Sequence, residues 1–389
     1  MNTLCPFQPR YDAVIVGARC AGAATALLLA RSGAKVLMVD RQAYGSDTLS
    51  THALMRGAVL QLTRWGLVTN ITMADTPAIR STTFHYAGEA VQVAIKPEQG
   101  VECLFAPRRT VLDRLLVDAA WNAGADVRHG VFLSDLLFGS DGRVTGVSLK
   151  GTGGSSMAIR SEIVIGADGR QSTIAQLVKA SAYVEGSNAS GIVFGYFGNL
   201  PQDGLHWYFE KNAAAGVIPT NAGHCVFAAV PAQRFSATFR GDVRRGFLQV
   251  LEANSPELRA KIERGTLIGR LRGFGGAAGY LRQCYGAGWA LVGDAGYFKD
   301  PLTAHGITDA LRDADLLSHA IIAGGMPALA AYQRERDAIS VPFMRITDAI
   351  ASFSWDLNEI KHLHSDLSAA MKAETNHMAG LSQLPSLAA

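Results

Sequence analysis

The feature that most constrains this chain is a glycine-rich turn between an apolar strand and an alanine- and leucine-rich helix. Residues 11–16 (YDAVIV) predict a buried parallel strand, and the helix is expected from Ala21 to about Ser32. Gly33 suits the end of that helix, and residues 35–40 (KVLMVD) predict a second strand. These segments form a βαβ unit, so the chain is expected to build a parallel α/β sheet.

The turn at 17–22 (GARCAG) lies where a dinucleotide-binding fingerprint must lie, between a strand and a helix. Gly17 permits the tight turn, and Gly22 lets the helix pack closely, so that the helix N-terminus faces a pyrophosphate. Asp40 ends the second strand and is expected to accept a hydrogen bond from a ribose hydroxyl. Arg19 replaces the second glycine of the fingerprint, and its side chain either points away or lies along the phosphates.

Two later motifs place a short acidic side chain after an apolar strand. The first is IGADGR at 165–170, with Asp168, and the second is LVGDAG at 291–296, with Asp294. Ligands bind at the carboxyl ends of the strands in open α/β sheets, so both acids are expected at that edge. A carboxylate there can bond ribose or ribityl hydroxyls, whereas an ordinary Asx turn is the alternative for either motif alone.

The order of these three motifs resembles the class A flavin-dependent monooxygenases, the para-hydroxybenzoate hydroxylase-like family, and the related geranylgeranyl reductases and flavin halogenases. The likeness covers roughly residues 10–345. It implies an α/β fold with a Rossmann-like FAD-binding domain of the GR2 type, an interleaved α+β substrate domain on an antiparallel sheet, and C-terminal helices. The FAD-binding domain is expected at 1–75, 100–180 and 280–345, the substrate domain at 76–99 and 181–279, and the last helices at 346–389.

The resemblance implies FAD as the bound cofactor and NAD(P)H as cosubstrate. Gly17 and Gly22 would hold the pyrophosphate, Asp40 the adenosine ribose and Asp294 the ribityl chain. Asp168 and its glycine neighbour are similar to an Asp-Gly motif that the family associates with both FAD and NAD(P)H. The expected cofactor-binding residues are Gly17, Ala18, Arg19, Gly22, Asp40, Arg41, Arg109, Asp168, Gly169, Gly293, Asp294, Gly306 and Ile307.

Two further segments are expected near the flavin ring. Arg109 resembles the arginine that precedes a helix and approaches the flavin in this family; Arg108 and a solvated helix start are the alternatives. The segment 301–308 (PLTAHGIT) resembles the family's PxxGxGxN, with an alanine for one glycine and a threonine for the asparagine. The amides of Gly306 and Ile307, at a helix N-terminus, would stabilise negative charge on the reduced flavin.

The resemblance implies that the flavin performs the chemistry. Reduced flavin would take up oxygen as a C4a-hydroperoxide in a dry pocket and transfer one oxygen atom to a small aromatic or polyketide-like substrate. His52 and His305 are the candidate catalytic residues, as acids, bases or proton relays; turn or cap residues are the alternative. The expected substrate contacts are Trp207, Tyr208, Phe227 and Pro301. The three aromatic residues are expected to line one apolar pocket, with ordinary sheet packing as the alternative.

Other functions stay open. A reductase of carbon–carbon double bonds, similar to the geranylgeranyl reductases, would need a long apolar tunnel. A halogenase ranks low because the chain has no WxWxIP motif, and a flavin sensor is a non-catalytic possibility. The segment 273–278 follows a charged stretch and predicts a loop, and 151–154 predicts a hairpin turn. With no second dinucleotide fold, NAD(P)H would bind transiently, or a separate flavin reductase would supply the electrons.

Between the motifs, a helix is expected from about Thr51 to Trp65, and residues 190–275 are rich in strands with one helix near 240–252. A loop is expected to lead to Pro219–Asn221.

The net charge of +3 comes without a block of lysine and arginine, so neither nucleic acid nor an anionic membrane is expected as a partner. The five scattered cysteines predict reduced thiols rather than a metal or disulfide framework. No leader and no bilayer-length apolar stretch is seen, which predicts a cytoplasmic protein. The oligomeric state is left open.

Overall fold

The computed structural model describes residues 7–8, 10–151, 156–200, 203–382 and 384. Its strands are β1 Arg10–Val16, β2 Val36–Asp40, β3 Ser81–Tyr86, β4 Glu89–Ala94, β5 Asp126–His129, β6 Val131–Phe138, β7 Val144–Gly151, β8 Ser156–Gly166, β9 Ala182–Glu185, β10 Ser190–Gly198, β11 Leu205–Glu210, β12 Ala213–Thr220, β13 Gly223–Pro231, β14 Thr266–Phe274, β15 Tyr280–Arg282, β16 Tyr285–Gly286, β17 Trp289–Leu291 and β18 Tyr297–Phe298. Its helices are α1 Cys20–Arg31, α2 Arg56–Arg64, α3 Val68–Met73, α4 Arg109–Asn122, α5 Thr173–Leu177, α6 Phe235–Phe239, α7 Val243–Asn254, α8 Pro256–Arg264, α9 Gly306–Ala323, α10 Gly325–Ala351 and α11 Leu357–Gly380.

The first sheet has the order β16-β17-β8-β1-β2-β5, and its strands from β17 to β5 are parallel. The hairpin β6–β7 joins it through β8. Apolar strands and an alanine-rich α1 form this core, where Ile15, Leu27, Leu29 and Leu37 are fully buried. The small side chains of α1 let the helix lie close to the sheet, which brings its N-terminus to the carboxyl ends of the strands.

The second sheet has seven strands in the order β14-β10-β13-β12-β11-β3-β4. All of its pairings are antiparallel except that between β11 and β3. Its inner face, which carries Tyr196, Trp207 and Phe227, packs in one cluster with Phe343 and Trp355 of the C-terminal region. Its outer face, which carries Tyr208 and Val226, packs with Phe247 and Ile262 of α7 and α8. A third small sheet has the order β18-β15-β9.

The last helix closes the molecule against α2. The guanidinium of Arg64 donates to the carbonyl oxygens of Met378 and Ala379, each at 2.6 Å, at the C-terminal end of α11. These bonds satisfy carbonyls that have no partner within the helix. Among the described residues, no helix is both long and apolar enough to cross a membrane.

The expected α/β fold with a Rossmann-like domain and a second antiparallel layer is confirmed. The helix expected from Thr51 begins only at Arg56, because His52 has a left-handed backbone with φ of +61°. Pro219 and Thr220 belong to a strand rather than a loop, and the charged stretch before 273 is part of edge strand β14.

The segment between β13 and β14 forms three helices, α6, α7 and α8, where one was expected. Most of the expected turn at 151–154 lies outside the described residues.

Candidate active site

The three glycine-containing turns meet at one edge of the parallel sheet, because β8 lies between β1 and β17. The Ala167 amide donates to the Val16 carbonyl at 2.8 Å, and the Val292 amide donates to the Gly166 carbonyl at 3.0 Å. A Cβ atom added to Gly17 would lie 2.3 Å from the Ala167 carbonyl oxygen, so only glycine fits there.

The first turn leads directly into the N-terminus of α1. Gly17 has φ of +109°, and a Cβ atom on Gly22 would lie 1.9 Å from the Gly17 carbonyl oxygen. Arg19 is the N-cap residue, and its side chain makes no capping hydrogen bond. The amides of the first helical turn therefore lack a side-chain cap at a site that suits a phosphate.

Asp40 lies beside this turn. One carboxylate oxygen accepts from the Ala18 amide at 2.8 Å, and the other accepts from the Gln42 amide at 2.7 Å. Arg41, which lies between Asp40 and Gln42 in the chain, is exposed. Asp40 thus fixes the glycine turn to the end of β2.

Arg19 points toward α4. Its Nη1 atom lies 2.9 Å from the Asp113 carboxylate, which also pairs with Arg109 at 2.9 Å and accepts from the Cys20 thiol at 3.3 Å. The sequence left open whether the Arg19 side chain points away from the turn or lies along the phosphates. In the structure it points to Asp113. Arg109 is half-buried, with 11% of its side chain exposed; burial lowers the pKa of its guanidinium, but the carboxylate of Asp113 outweighs this effect and raises it.

Asp168 accepts hydrogen bonds at the start of the short helix α5, whose N-cap residue is Ser172. Its carboxylate accepts from the Ser172 hydroxyl at 2.6 Å and from the Thr173 amide at 2.7 Å. Burial raises the pKa of Asp168, and these hydrogen bonds oppose that shift. Gly169 follows with φ of +79° and open space where a side chain would be. In this structure the carboxylate therefore has a local role, in which it supports the N-terminus of α5 together with the Ser172 hydroxyl.

Asp294 differs from Asp168 because its exposed carboxyl group accepts no hydrogen bond from any residue within the described part of the chain. Desolvation by the surrounding protein raises its pKa to about 6, while Arg109 and Lys299 favour the charged form. Gly293 before it has φ of +60°, and a Cβ atom there would lie 2.8 Å from that of Ala21. The acid is thus held against the start of α1 with its oxygens free.

Asp300 shapes the loop that precedes α9. Its carboxylate accepts from the amide and hydroxyl of Ser190, both at 2.6 Å, and from the Leu302 amide at 2.9 Å. Pro301, after it, is half-buried, and Ala304 has a left-handed backbone. Helix α9 begins at the exposed Gly306 with no side-chain cap, so the amides of Gly306 and Ile307 are available at the helix N-terminus.

His305 points away from that exposed turn into a buried charged network. Its Nε2 atom lies 2.5 Å from Glu374 of α11, which also pairs with Arg312 at 2.6 Å. Burial lowers the pKa of His305, although Glu374 opposes the shift. His305, Asp309 and Glu374 are close enough to hold a metal ion, but Lys299 and Arg312 already pair with the two carboxylates.

His52 belongs to a second buried polar cluster, and its partners there were not predicted from the sequence. Its Nε2 atom lies 2.5 Å from the Tyr196 hydroxyl, and the Arg108 guanidinium lies 3.5 Å from the centroid of the Tyr196 ring. Arg108 and Arg272 both pair with Asp47, at 2.9 and 3.0 Å. Burial, together with the charges of Arg109 and Arg108, lowers the pKa of His52 to about 3, so the ring is neutral at pH 7.

The aromatic residues expected in one pocket lie on two faces of the sheet. Trp207 and Phe227 are 5.7 Å apart, centroid to centroid, in the inner cluster. Tyr208 lies on the outer face and stacks on His85 at 4.1 Å. The expectation that Tyr208 shares a pocket with Trp207 is therefore wrong, because successive side chains of a strand alternate between faces.

The fold and this edge of the sheet define a dinucleotide-binding flavoprotein. Residues 10–346 match the FAD binding domain family, and the chain belongs to that family. It is an FAD-dependent oxidoreductase. The glycines that exclude a Cβ atom, the free oxygens of Asp294 and the uncapped start of α9 fit FAD.

Its relatives include enzymes of different printed activities. Digeranylgeranylglycerophospholipid reductase 1 of Methanococcoides burtonii is 26% identical over 340 residues, which cover 81% of this chain and 75% of that protein. Aklavinone 12-hydroxylase DnrF of Streptomyces peucetius is 27% identical over 227 residues, which cover 53% and 46%. Among solved structures, PqsL, a probable FAD-dependent monooxygenase from Pseudomonas aeruginosa, has a TM-score of 0.77 at 18% identity and covers 92% of this chain and 100% of that one.

Proposed function

We propose that this protein is a monooxygenase that inserts one oxygen atom into a small aromatic or polyketide-like substrate, with NAD(P)H as reductant. The observation that carries the proposal is the buried His52–Tyr196 pair beneath Arg108, on the inner face of the antiparallel sheet. This face combines aromatic surface with a hydroxyl and a cation, which suits a compact substrate with polar substituents.

FAD, when bound, supplies the redox and oxygen chemistry. Gly17 and Gly22 would allow the pyrophosphate to approach the N-terminus of α1, and Asp40 and Asp294 would bond the ribose and ribityl hydroxyls. The uncapped amides of Gly306 and Ile307 would face the flavin edge, where they favour negative charge. Arg109, held by Asp113, adds a fixed positive charge near Asp294.

His52 and Tyr196 would position the substrate or move a proton. A neutral imidazole has one donor and one acceptor nitrogen, so the Nε2 atom of His52 either donates to the Tyr196 hydroxyl or accepts from it, according to the tautomer. Trp207 and Phe227 would exclude water from the same face. His305 would act indirectly, because its ring is bonded to Glu374 and buried below the loop.

A reductase of carbon–carbon double bonds is the second candidate. The reductase from Methanococcoides burtonii aligns with a larger share of this chain than the hydroxylase DnrF does, 81% against 53%. The apolar inner face, with Phe343 and Trp355, also suits an isoprenoid chain.

One experiment separates the two. The purified protein is loaded with FAD and mixed with NADH or NADPH and a panel of phenolic and isoprenoid compounds, while flavin absorbance, oxygen consumption and product mass are followed. Oxygen consumption with a product heavier by one oxygen atom supports the monooxygenase. A product heavier by two hydrogen atoms, formed without oxygen, contradicts it and supports the reductase. If neither nucleotide bleaches the flavin, dithionite replaces them, and a separate reductase becomes the expected electron donor.

A further inference from the structure

A cleft of about 600 Å³ opens between the segment after β2 and the edge strand β14. Asp47, Thr48 and Leu49 line one side, and residues 270–273 line the other. None of these side chains has a part in the proposed binding of FAD. Their charges therefore need a separate explanation.

Arg272 faces the interior of the site although it belongs to an edge strand. In the pairing of β14 with β10, Arg272 lies opposite Phe194, and Phe274 lies opposite Ile192. Directly paired residues project from the same face of a sheet. Arg272 therefore shares the inner face with the aromatic cluster, where arginine is an uncommon residue.

The cleft and its wall carry more positive than negative charge. Arg108 and Arg272 share a single oxygen of Asp47, at 2.9 and 3.0 Å. Burial alone would raise the pKa of Asp47, but the two arginines and the Thr48 amide lower it. Arg270 is exposed and has no carboxylate partner within the described ranges. Three guanidinium groups thus face one carboxylate, so an anion that enters meets a net positive potential.

The arginines also have unused hydrogen-bond donors. Each guanidinium has five N–H groups, and Asp47 occupies one nitrogen of Arg272, whose side chain is 33% exposed. The remaining N–H groups of Arg272 and those of Arg270 can reach a ligand in the cleft. A carboxylate or phosphate presents several oxygens in the geometry that a guanidinium binds best.

The wall of the cleft continues to the buried polar pair. Arg108, joined to Arg272 through Asp47, lies 3.5 Å from the centroid of the Tyr196 ring, and Tyr196 is bonded to His52. A ligand held at its anionic end by Arg270 and Arg272 would therefore lie beside the residues that the proposed function places at the substrate.

We propose that this arginine cleft, formed by Asp47, Arg270 and Arg272, binds the oxyanion of a small organic ligand, as a carboxylate or a phosphate. The molecule that carries this oxyanion is either the substrate or the reduced pyridine dinucleotide, and this part of the inference rests on the proposed function. The binding of an oxyanion is inferred from the cleft alone.

The test measures binding to the FAD-loaded protein by isothermal titration calorimetry at low salt, with benzoate, inorganic pyrophosphate and neutral benzamide as probes. We expect the wild type to bind the two anions and not benzamide. The double variant R270Q/R272Q should bind the anions at least about tenfold more weakly. The double variant R244Q/R245Q, on the exposed side of α7, removes the same two charges elsewhere and should bind as the wild type does.

Asp47→Asn gives a test of opposite sign. The neutral amide of this variant competes less with a ligand for Arg272 than the carboxylate does, so both anions should bind more tightly. Competition by NADPH against pyrophosphate, or by an identified substrate against benzoate, distinguishes the two carriers. Equal anion affinity in wild type and double variant, equal binding of benzamide, or no gain with D47N would overturn the proposal. Because the assay needs no turnover, anion binding by a protein that oxygenates nothing would overturn the proposed function alone.

Discussion

The Nε2 atom of His52 lies 2.5 Å from the hydroxyl of Tyr196 and so joins the segment after β2 to a strand of the antiparallel sheet. Both side chains are buried, and His52 holds this position with a left-handed backbone. Because burial lowers the pKa of His52 to about 3, the pair stays uncharged at neutral pH. It is a fixed polar link between the two sheets at the proposed substrate face.

Removal of either partner should destabilise the protein. Tyr196→Phe leaves a buried imidazole nitrogen without its partner, so we expect a loss of about 1–3 kcal/mol in the free energy of unfolding. His52→Ala should cost more, because alanine also disfavours the left-handed backbone. Urea unfolding of both variants and the double variant gives the coupling energy, expected at about 0.5–3 kcal/mol. His52→Asn, which tolerates that backbone, is the control, and a coupling of zero would contradict the pair.

Gly22→Ala should weaken both FAD binding and stability. The new Cβ atom would lie 1.9 Å from the Gly17 carbonyl oxygen, so the helix must move from the turn. We expect a loss of about 1–3 kcal/mol in stability and a colourless purified protein. Gly380→Ala is the matched control, since its Cβ atom meets nothing within 4 Å. Full FAD content in the Gly22 variant would show that this turn does not bind the cofactor.

Asp294→Asn should affect stability and FAD binding in opposite directions. The folded pKa of about 6 lies above the ordinary value, so the folded state binds this proton more readily between pH 4 and 6. The charge therefore costs stability as the pH rises through that window, and the cost is complete above pH 6.

The apo-variant should accordingly melt at a slightly higher temperature than the wild type at pH 7, with a gain that water keeps small at this exposed residue and that fades toward pH 4. Its affinity for FAD should fall about tenfold, because a charged acceptor is lost. Thermal scans of the apoprotein and flavin fluorescence titrations measure the two effects. Asp366→Asn, at an exposed position, is the control. Unchanged FAD affinity in the Asp294 variant would remove this residue from the cofactor site.

Glu374→Gln should destabilise the folded protein far more than the same substitution at the surface. Glu374 is buried between His305 and Arg312, at 2.5 and 2.6 Å, so its neutralisation leaves Arg312 with less compensation. We expect a loss of about 3–5 kcal/mol, measured by urea unfolding. Glu263→Gln, which breaks an exposed contact with Arg259, should cost less than about 1 kcal/mol. Similar losses in both variants would mean that the buried network contributes little.

Local patterns in the sequence predicted the parts of the site that depend on local geometry. The apolar run before Gly17 and the glycine after it predict a strand, a tight turn and a helix, because each depends on neighbouring residues. The sequence also contained the alternation of side chains along β11, from which the placement of Trp207 and Tyr208 on opposite faces could have been predicted. The late start of α2 could not be predicted in this way, since His52, whose left-handed backbone precedes the helix, is bonded to Tyr196, 144 residues away.

The sequence by itself thus determined the class of fold and the position of the three turns, because strand, turn and helix propensities act over a few residues. The cofactor followed from the resemblance of those three motifs to a known family. Only the tertiary structure decided which charges meet: Arg19 with Asp113, Arg272 with Asp47, and His305 with Glu374. These partners are 94, 225 and 69 residues apart. No local pattern encodes such pairs, because they form only when the packing of the sheets and helices brings the side chains together.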